Sequence, residues 1–198
     1  MTFKVGITGG IGSGKSVVCK IFKTLGIPVF EADAVAKQLT NTNPEIKEQL
    51  IDLYGEGIYS DDGTINRKKL AGIIFNDDIE LRKVNEIIHP EVRNYFFEWA
   101  VQQNSAYVVH EAAILFESGF YKLMDYNVAV LADQFLRIER VIYRDGSSFD
   151  EVKERIDKQW SDEKRNNLAD AVIYNNSELL IPQVLETDKK IRQHGNIR

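Results

Sequence analysis

Gly9-Gly10-Ile11-Gly12-Ser13-Gly14-Lys15-Ser16 is the stretch on which the reading of this chain turns. It has the spacing G-x-x-x-x-G-K-[ST]. Before it, Phe3 to Thr8 alternate and then run apolar into the glycines; after it, Val17 to Leu25 place apolar residues at helical spacing. Strand, glycine loop and helix in that order open an α/β unit. Glycines let successive main-chain N–H groups turn inward around an anion, and a helix starting near Lys15 adds its positive end to the same point. The loop therefore reads as a cradle for the phosphates of a nucleotide, with Gly10, Ile11, Gly12, Ser13, Gly14, Lys15, Ser16 and Val17 as candidate contacts. Lys15 is expected to reach the β- and γ-phosphates. Ser16 offers a hydroxyl to Mg2+, a hard ion that takes oxygen ligands and retains several waters.

Outward from the loop, a helix stop at Gly26 precedes Ile27-Pro28-Val29-Phe30, a short second strand that delivers Glu31-Ala32-Asp33 at its carboxyl end. Ligands of open α/β sheets bind at that edge. From Ala34 to Gln103 the pattern is helical almost throughout, with Pro44 and Pro90 at first-turn positions and a turn-rich break over residues 55–66. Ala106 to Glu111 and Tyr126 to Leu131 read as buried strands. Asp133 can cap a helix running to about Arg144, and Asp145-Gly146-Ser147-Ser148 breaks it. The charged helical stretch that follows, to Asn167, has the composition of a mobile flap. Ala171 to Tyr174 is a last short strand and Ser177 to about Gln193 a closing amphipathic helix. No repeat, low-complexity tract or linker marks off a second independent domain.

A chain of 198 residues can bury a full core, and its net charge of −5 argues against a protein that coats nucleic acid or an anionic membrane surface. Cys19 is the single cysteine, which rules out an intrachain disulfide and a multi-cysteine metal site. The opening MTFKVGITGG lacks the long apolar stretch of a signal peptide or membrane span, so a cytoplasmic location is expected. Among proteins with such a loop, a GTPase should carry a guanine-reading N-K-x-D, and none is present. Transport and motor ATPases need a longer chain. A short chain with a helical insertion and an Arg-rich flap favours phosphoryl transfer to a small acceptor.

GITGGIGSGKS at the start, EADAVAK after the second strand, IIHPEV at 87–92, ILFESG at 114–119, QFLRIERVIYRDG, and DKQWSDEKRNNLADAVIYNN together resemble the dephospho-coenzyme A kinase family in their order along almost the whole chain. The resemblance implies a three-layer P-loop kinase fold with a parallel sheet core, a helical substrate-binding insertion and a helical lid. In one kinase domain, 1–198, the core would be 1–32, 104–144 and 166–198, the acceptor-binding subdomain 33–103 and the lid 145–165. It implies transfer of the ATP γ-phosphate, with Mg2+, to the ribose 3′-hydroxyl of dephospho-coenzyme A. The partners expected are that small molecule, no nucleic acid and no membrane, in a monomer or small homo-oligomer. Another small-metabolite or nucleotide kinase, or a non-catalytic ATP-binding switch, shares the same loop.

Asp33 stands where a carboxylate can take the acceptor hydroxyl's proton; it can equally cap the helix that follows, and the resemblance tips it toward catalysis with Lys15 and Arg140. Arg137, Arg140 and Arg144 are spaced to line one helical face, ordinarily a solvated one, and the resemblance places the stripe at the base of the lid. There Arg140 would stabilise the transferring group and Arg144 contact the nucleotide. Arg155, Gln159, Lys164 and Arg165 belong to the same lid by resemblance, with surface charge as the default for each. Asp170 and Asn175-Asn176 flank the last strand, where the family meets adenine; a turn role for the Asn pair is equally open. The resemblance also assigns Thr8, His89, Arg93 and Glu117 to acceptor binding, although His89-Pro90 by itself reads as a helix boundary. Where the family has aspartate, then proline two residues on, this chain has Glu111 and Ala113; Glu111 can still serve the Mg2+ shell through water. Glu31 and Ser177 are further departures, from aspartate and glycine.

Overall fold

Five parallel strands, β1 (Phe3–Thr8), β2 (Val29–Glu31), β3 (Tyr107–Glu111), β4 (Tyr126–Leu131) and β5 (Ala171–Tyr174), form one sheet in the order β2-β3-β1-β4-β5. The computed structural model describes residues 2–75 and 77–196; Asn76, within the stretch expected to be helical, lies outside them. Parallel strands covered on both faces read as unbroken apolar runs, and all six residues of β4 are buried. The chain leaves β1 toward β2 and β3 on one side and later adds β4 and β5 on the other, so the glycine loop at the end of β1 lies at the topological switch point.

Helix α1 (Lys15–Thr24) presents Val18, Cys19 and Phe22 to one sheet face, where they pack with Val5, Ile7, Tyr107, Val109, Val128 and Val130. Cys19 is 4 % exposed there, and burial pushes its pKa up to about 12. The last helix, α9 (Leu180–His194), adds Val184 and Ile191 to the same cluster. Asp133 caps α6 (Gln134–Asp145) through Phe135 N–H at 2.8 Å, and Gly146 ends it in the left-handed conformation. The charged stretch beyond folds as α7 (Phe149–Asp157) and α8 (Asp162–Leu168), each started by a serine cap. Ile138, Val141 and Val152 join α6 to α7 in a small core of their own.

His110 of β3 is stacked between Phe30 of β2 and Phe120, with ring centroids 5.4 and 4.5 Å away. Burial, reinforced by the charge of Lys15, lowers its pKa from the ordinary 6.5 to about 3. As pH falls below 6.5 the unfolded chain takes up this proton before the folded one does. The contribution to stability is therefore whole above about pH 6.5 and is lost down to about pH 3, at about 1.4 kcal/mol per pH unit. His110→Phe, which keeps a stacked ring, is expected to flatten that slope by one proton. Urea midpoints at pH 7 and pH 5 check this; equal slopes in both proteins would show that His110 does not titrate on unfolding.

Contacts divide the chain into two compact units, one built from the residues up to Glu31 and from Ala100 on, the other from Ala32–Trp99. The second unit contains α2 (Ala32–Thr42), α3 (Pro44–Tyr54), α4 (Arg67–Ile74) and most of α5 (Asp78–Val101). Asn43 caps α3, accepting from Glu45 N–H and Ile46 N–H at 2.8 and 3.1 Å, and Pro44 fills the first turn as its missing N–H allows. Residues 55–66 turn through a single bridge, Tyr59 to Ile65. The expectation for Pro90 is corrected: it starts no helix but lies inside α5, which runs through it. Interior proline costs about 3 kcal/mol. Burial of Val84 and Ile87 before it and Val92 and Phe96 after it, at about 1.5–3 kcal/mol each, outweighs that cost. Among the described residues no helix is long and apolar enough to cross a membrane.

Candidate active site

The glycine loop lines a cavity of about 580 Å3 together with Glu111, Arg140, Arg144, Arg155, Lys158 and Gln159. The charged groups of this lining are the cations Lys15, Arg140, Arg144, Arg155 and Lys158 against one carboxylate, Glu111, so the cavity suits an anion. Helix α1 begins at its floor with Gly14 as N-cap, at φ 89° and without a side-chain cap, so the first-turn amides carry the positive end of the helix into it. A Cβ at Gly10 would meet the Arg137 guanidinium at 2.2 Å, one at Gly12 the Arg137 carbonyl at 2.4 Å, and one at Gly14 the Asn175 amide at 2.0 Å. The loop thus takes its shape from residues that only glycine can approach, at positive φ for Gly12 and Gly14.

Lys15 Nζ donates to Glu111 Oε1 at the carboxyl end of β3, with both side chains almost out of water. Ser16 is exposed in the first turn beside it, and Val17 is exposed with its N–H on Gly14 O at 2.9 Å. Ser13 is buried; its N–H donates to Gly10 O at 3.0 Å and its carbonyl accepts from Asn175 Nδ2 at 2.8 Å. Arg140 donates to Asn175 O at 2.9 Å and to Gly12 O at 3.4 Å. Asn175 is therefore tied to the phosphate loop from behind, a connection between residues 162 positions apart that no local pattern reveals. Arg144 is exposed and forks onto Asp145 at 2.6 and 2.8 Å.

The default of surface charge is corrected for Arg165, which is fully buried. Its guanidinium donates to Glu117 at 2.9 Å, Asp162 at 3.2 Å and the Trp160 carbonyl at 2.5 Å, and carboxylate partners on two sides make that burial tolerable. Lys164 lies over the Trp160 ring, 3.2 Å from its centroid. Glu117 is accordingly occupied by Arg165. Thr8 is fully buried, with its hydroxyl donating to Ala113 O at 3.3 Å, and neither Thr8 nor Glu117 lines the cavity. Arg137, spaced to share the face of Arg140 and Arg144, is instead buried against the loop.

In the helical unit Asp33 is exposed in the first turn of α2, two residues past the end of β2, where its charge favours the helix N-terminus. His89 and Arg93 are one turn apart on α5, His89 half-buried with its pKa lowered by that burial and Arg93 exposed. Asp170 accepts from Asn127 N–H at 2.7 Å, and Asn176 from Asp133 N–H at 2.7 Å. Among the described residues no group of three or more His, Cys, Asp or Glu could hold a metal ion. Ser16 and Glu111 are the hydroxyl and carboxylate oxygen donors of the cavity lining, the kind that a hard divalent ion takes.

Residues 3–180 match the family model described as CoaE, dephospho-CoA kinase. A dephospho-CoA kinase of Bacteroides fragilis (strain YCH46) is 42 % identical over 188 residues, 94 % of this chain and 91 % of that protein. Two solved structures share the fold. A Thermus thermophilus protein designated TT1252 superposes with a TM-score of 0.84 at 30 % identity, covering 96 % of each chain. A dephospho-CoA kinase from Campylobacter jejuni does so with a TM-score of 0.71 at 25 % identity, covering all of both.

Proposed function

The chain belongs to the dephospho-CoA kinase family, and on that premise we propose that it transfers the γ-phosphoryl group of ATP to the ribose 3′-hydroxyl of dephospho-coenzyme A, giving coenzyme A and ADP. The observation that carries this reading is the cation-lined cavity in which the glycine loop, Lys15 and Arg140 meet. Phosphoryl transfer asks little covalent chemistry of a protein; it asks for alignment and for donors where negative charge spreads over the transferring oxygens.

In this reading the loop amides and the start of α1 hold the polyphosphate. Lys15 exchanges Glu111 for the β- and γ-oxygens, while from the lid side Arg140 meets the transferring group and Arg144 the nucleotide. Asp33 takes the proton of the acceptor hydroxyl. When bound, Mg2+ would supply charge neutralisation for the phosphates; Ser16 Oγ would hold it directly and Glu111 through water. The helical unit receives the acceptor, with Arg93 matched to its pyrophosphate and His89 beside it. Thr8, buried with its hydroxyl on Ala113 O, and Glu117, half-buried on Arg165, support the site through those neighbours. Such a protein works in the cytoplasm on a small molecule, with neither nucleic acid nor membrane.

An ADP-release assay over a panel of acceptors tests the proposal. Turnover is expected with dephospho-coenzyme A at a kcat/KM well above that with nucleosides, shikimate-like alcohols or water. A better acceptor elsewhere in the panel would make the chain a different small-metabolite kinase. Nucleotide binding with no turnover on any acceptor would make it a switch.

A further inference from the structure

Arg137 carries no role in the scheme above, yet it is 4 % exposed and its guanidinium is bound to the phosphate loop. Nε donates to Ile11 O at 2.9 Å, Nη1 to both oxygens of Asp162 at 3.2 Å, and Nη2 to Gln159 Oε1 at 3.4 Å. The same Gln159 oxygen accepts from Ile11 N–H at 2.9 Å. Both main-chain groups of Ile11 are therefore gripped from outside the loop, while its side chain packs against Ile138, Val141 and Val152.

We propose that Arg137 is a positioning residue that aims the Gly12 amide into the phosphate cavity, with Asp162 holding Arg137 in place; the inference rests on the phosphate-binding reading of the loop. Every described peptide bond is trans, and in a trans peptide the C=O and the N–H point in opposite directions. Ile11 O and Gly12 N–H belong to one such plane. A guanidinium that draws Ile11 O outward leaves the Gly12 N–H on the opposite side, and Gly12 lines the cavity.

An external grip is needed here because Gly12, at φ 77°, has no side chain to resist rotation of the plane before it. Turned over, that plane would present a carbonyl oxygen to the phosphate in place of a donor. Arginine suits the task because its planar fork serves Ile11 O and Asp162 together, which a lysine cannot do with the same directions. Asp162 opens α8, so the turn between α7 and α8 is fastened to the loop through Arg137 as well as directly through Gln159.

ADP titrated calorimetrically into the full-length chain, without acceptor, is the test. Arg137→Met is expected to raise the ADP dissociation constant about tenfold, as loss of a charge-assisted hydrogen bond does. The KM for dephospho-coenzyme A should be unchanged and Tm within a few degrees. Arg137→Lys should bind ADP nearly as weakly as Arg137→Met, and Asp162→Asn should weaken it in the same direction. Combining Asp162→Asn with Arg137→Met should add nothing to Arg137→Met alone. Wild-type affinity in Arg137→Met would overturn the proposal. So would full rescue by lysine, which would reduce Arg137 to the counter-charge of Asp162. Parallel losses in ADP affinity, acceptor KM and Tm would overturn it too, as mere loss of folded protein. A wild-type chain that binds ADP but leaves dephospho-coenzyme A unphosphorylated sinks the proposed reaction and leaves the role of Arg137 standing.

Discussion

Asp33→Asn is expected to lower kcat by about a thousandfold while ADP affinity stays within about twofold of wild type. The carboxylate stands exposed in the first turn of α2, immediately past a strand whose carboxyl end faces the ligand edge of the sheet. Asparagine keeps the shape, but it cannot accept the proton that the acceptor hydroxyl must lose. If Asp33 served only the helix N-terminus, its replacement would cost about 0.3–1 kcal/mol of stability and leave kcat alone. Steady-state rates at saturating substrates, set beside thermal unfolding of both proteins, separate these two outcomes. A kcat within threefold of wild type would remove Asp33 from the chemistry.

Lys15→Ala should act on both halves of the cycle, lowering kcat/KM for ATP by about 10² to 10³ and weakening ADP binding about tenfold. The side chain is held on Glu111 almost out of water, so its ammonium is already desolvated and aimed into the cavity. Removing it takes away the charge that meets the β- and γ-oxygens. It also leaves the Glu111 carboxylate uncompensated in the lining, which repels the polyphosphate further. Calorimetry with ADP and initial rates with varied ATP check the two effects. Unchanged values in both would mean that the Lys15–Glu111 pair is structural and that the nucleotide lies elsewhere.

Where a signal is local, the sequence carried it. The strand, glycine loop and helix at the N-terminus, β4 at Tyr126–Leu131 and β5 at Ala171–Tyr174 follow from apolar runs and turn residues within a window of ten, and the structure has them there. So does the Asp133 cap of α6. Pro90 misleads because its local meaning, a helix start, is overridden by apolar burial on both sides of it, a tertiary effect. The arginines show a different limit. Spacings of three and four place Arg137, Arg140 and Arg144 along one helix but do not say what each one meets.

One of the three is buried on Ile11 and one half-buried on Asn175, partners from remote parts of the chain, while Arg144 stays exposed on the adjacent Asp145. Arg165 reads as a surface charge for the same reason: Glu117, which lets it be buried, is 48 residues away. The family resemblance marks both Glu117 and Arg165, but nothing in one sequence joins them. The pairing of Lys15 with Glu111, 96 residues apart, has no local signal either, although the sequence marks each residue for its own chemistry.

The most direct test of the account is a crystal structure of the chain with a non-hydrolysable ATP analogue, Mg2+ and dephospho-coenzyme A bound together, read at one distance. The ribose 3′-oxygen should lie within hydrogen-bond reach of the Asp33 carboxylate and in line with a γ-phosphate seated on the amides of residues 12–16. A triphosphate bound away from that loop, or an Asp33 side chain turned away from the ribose with both ligands in place, would contradict it.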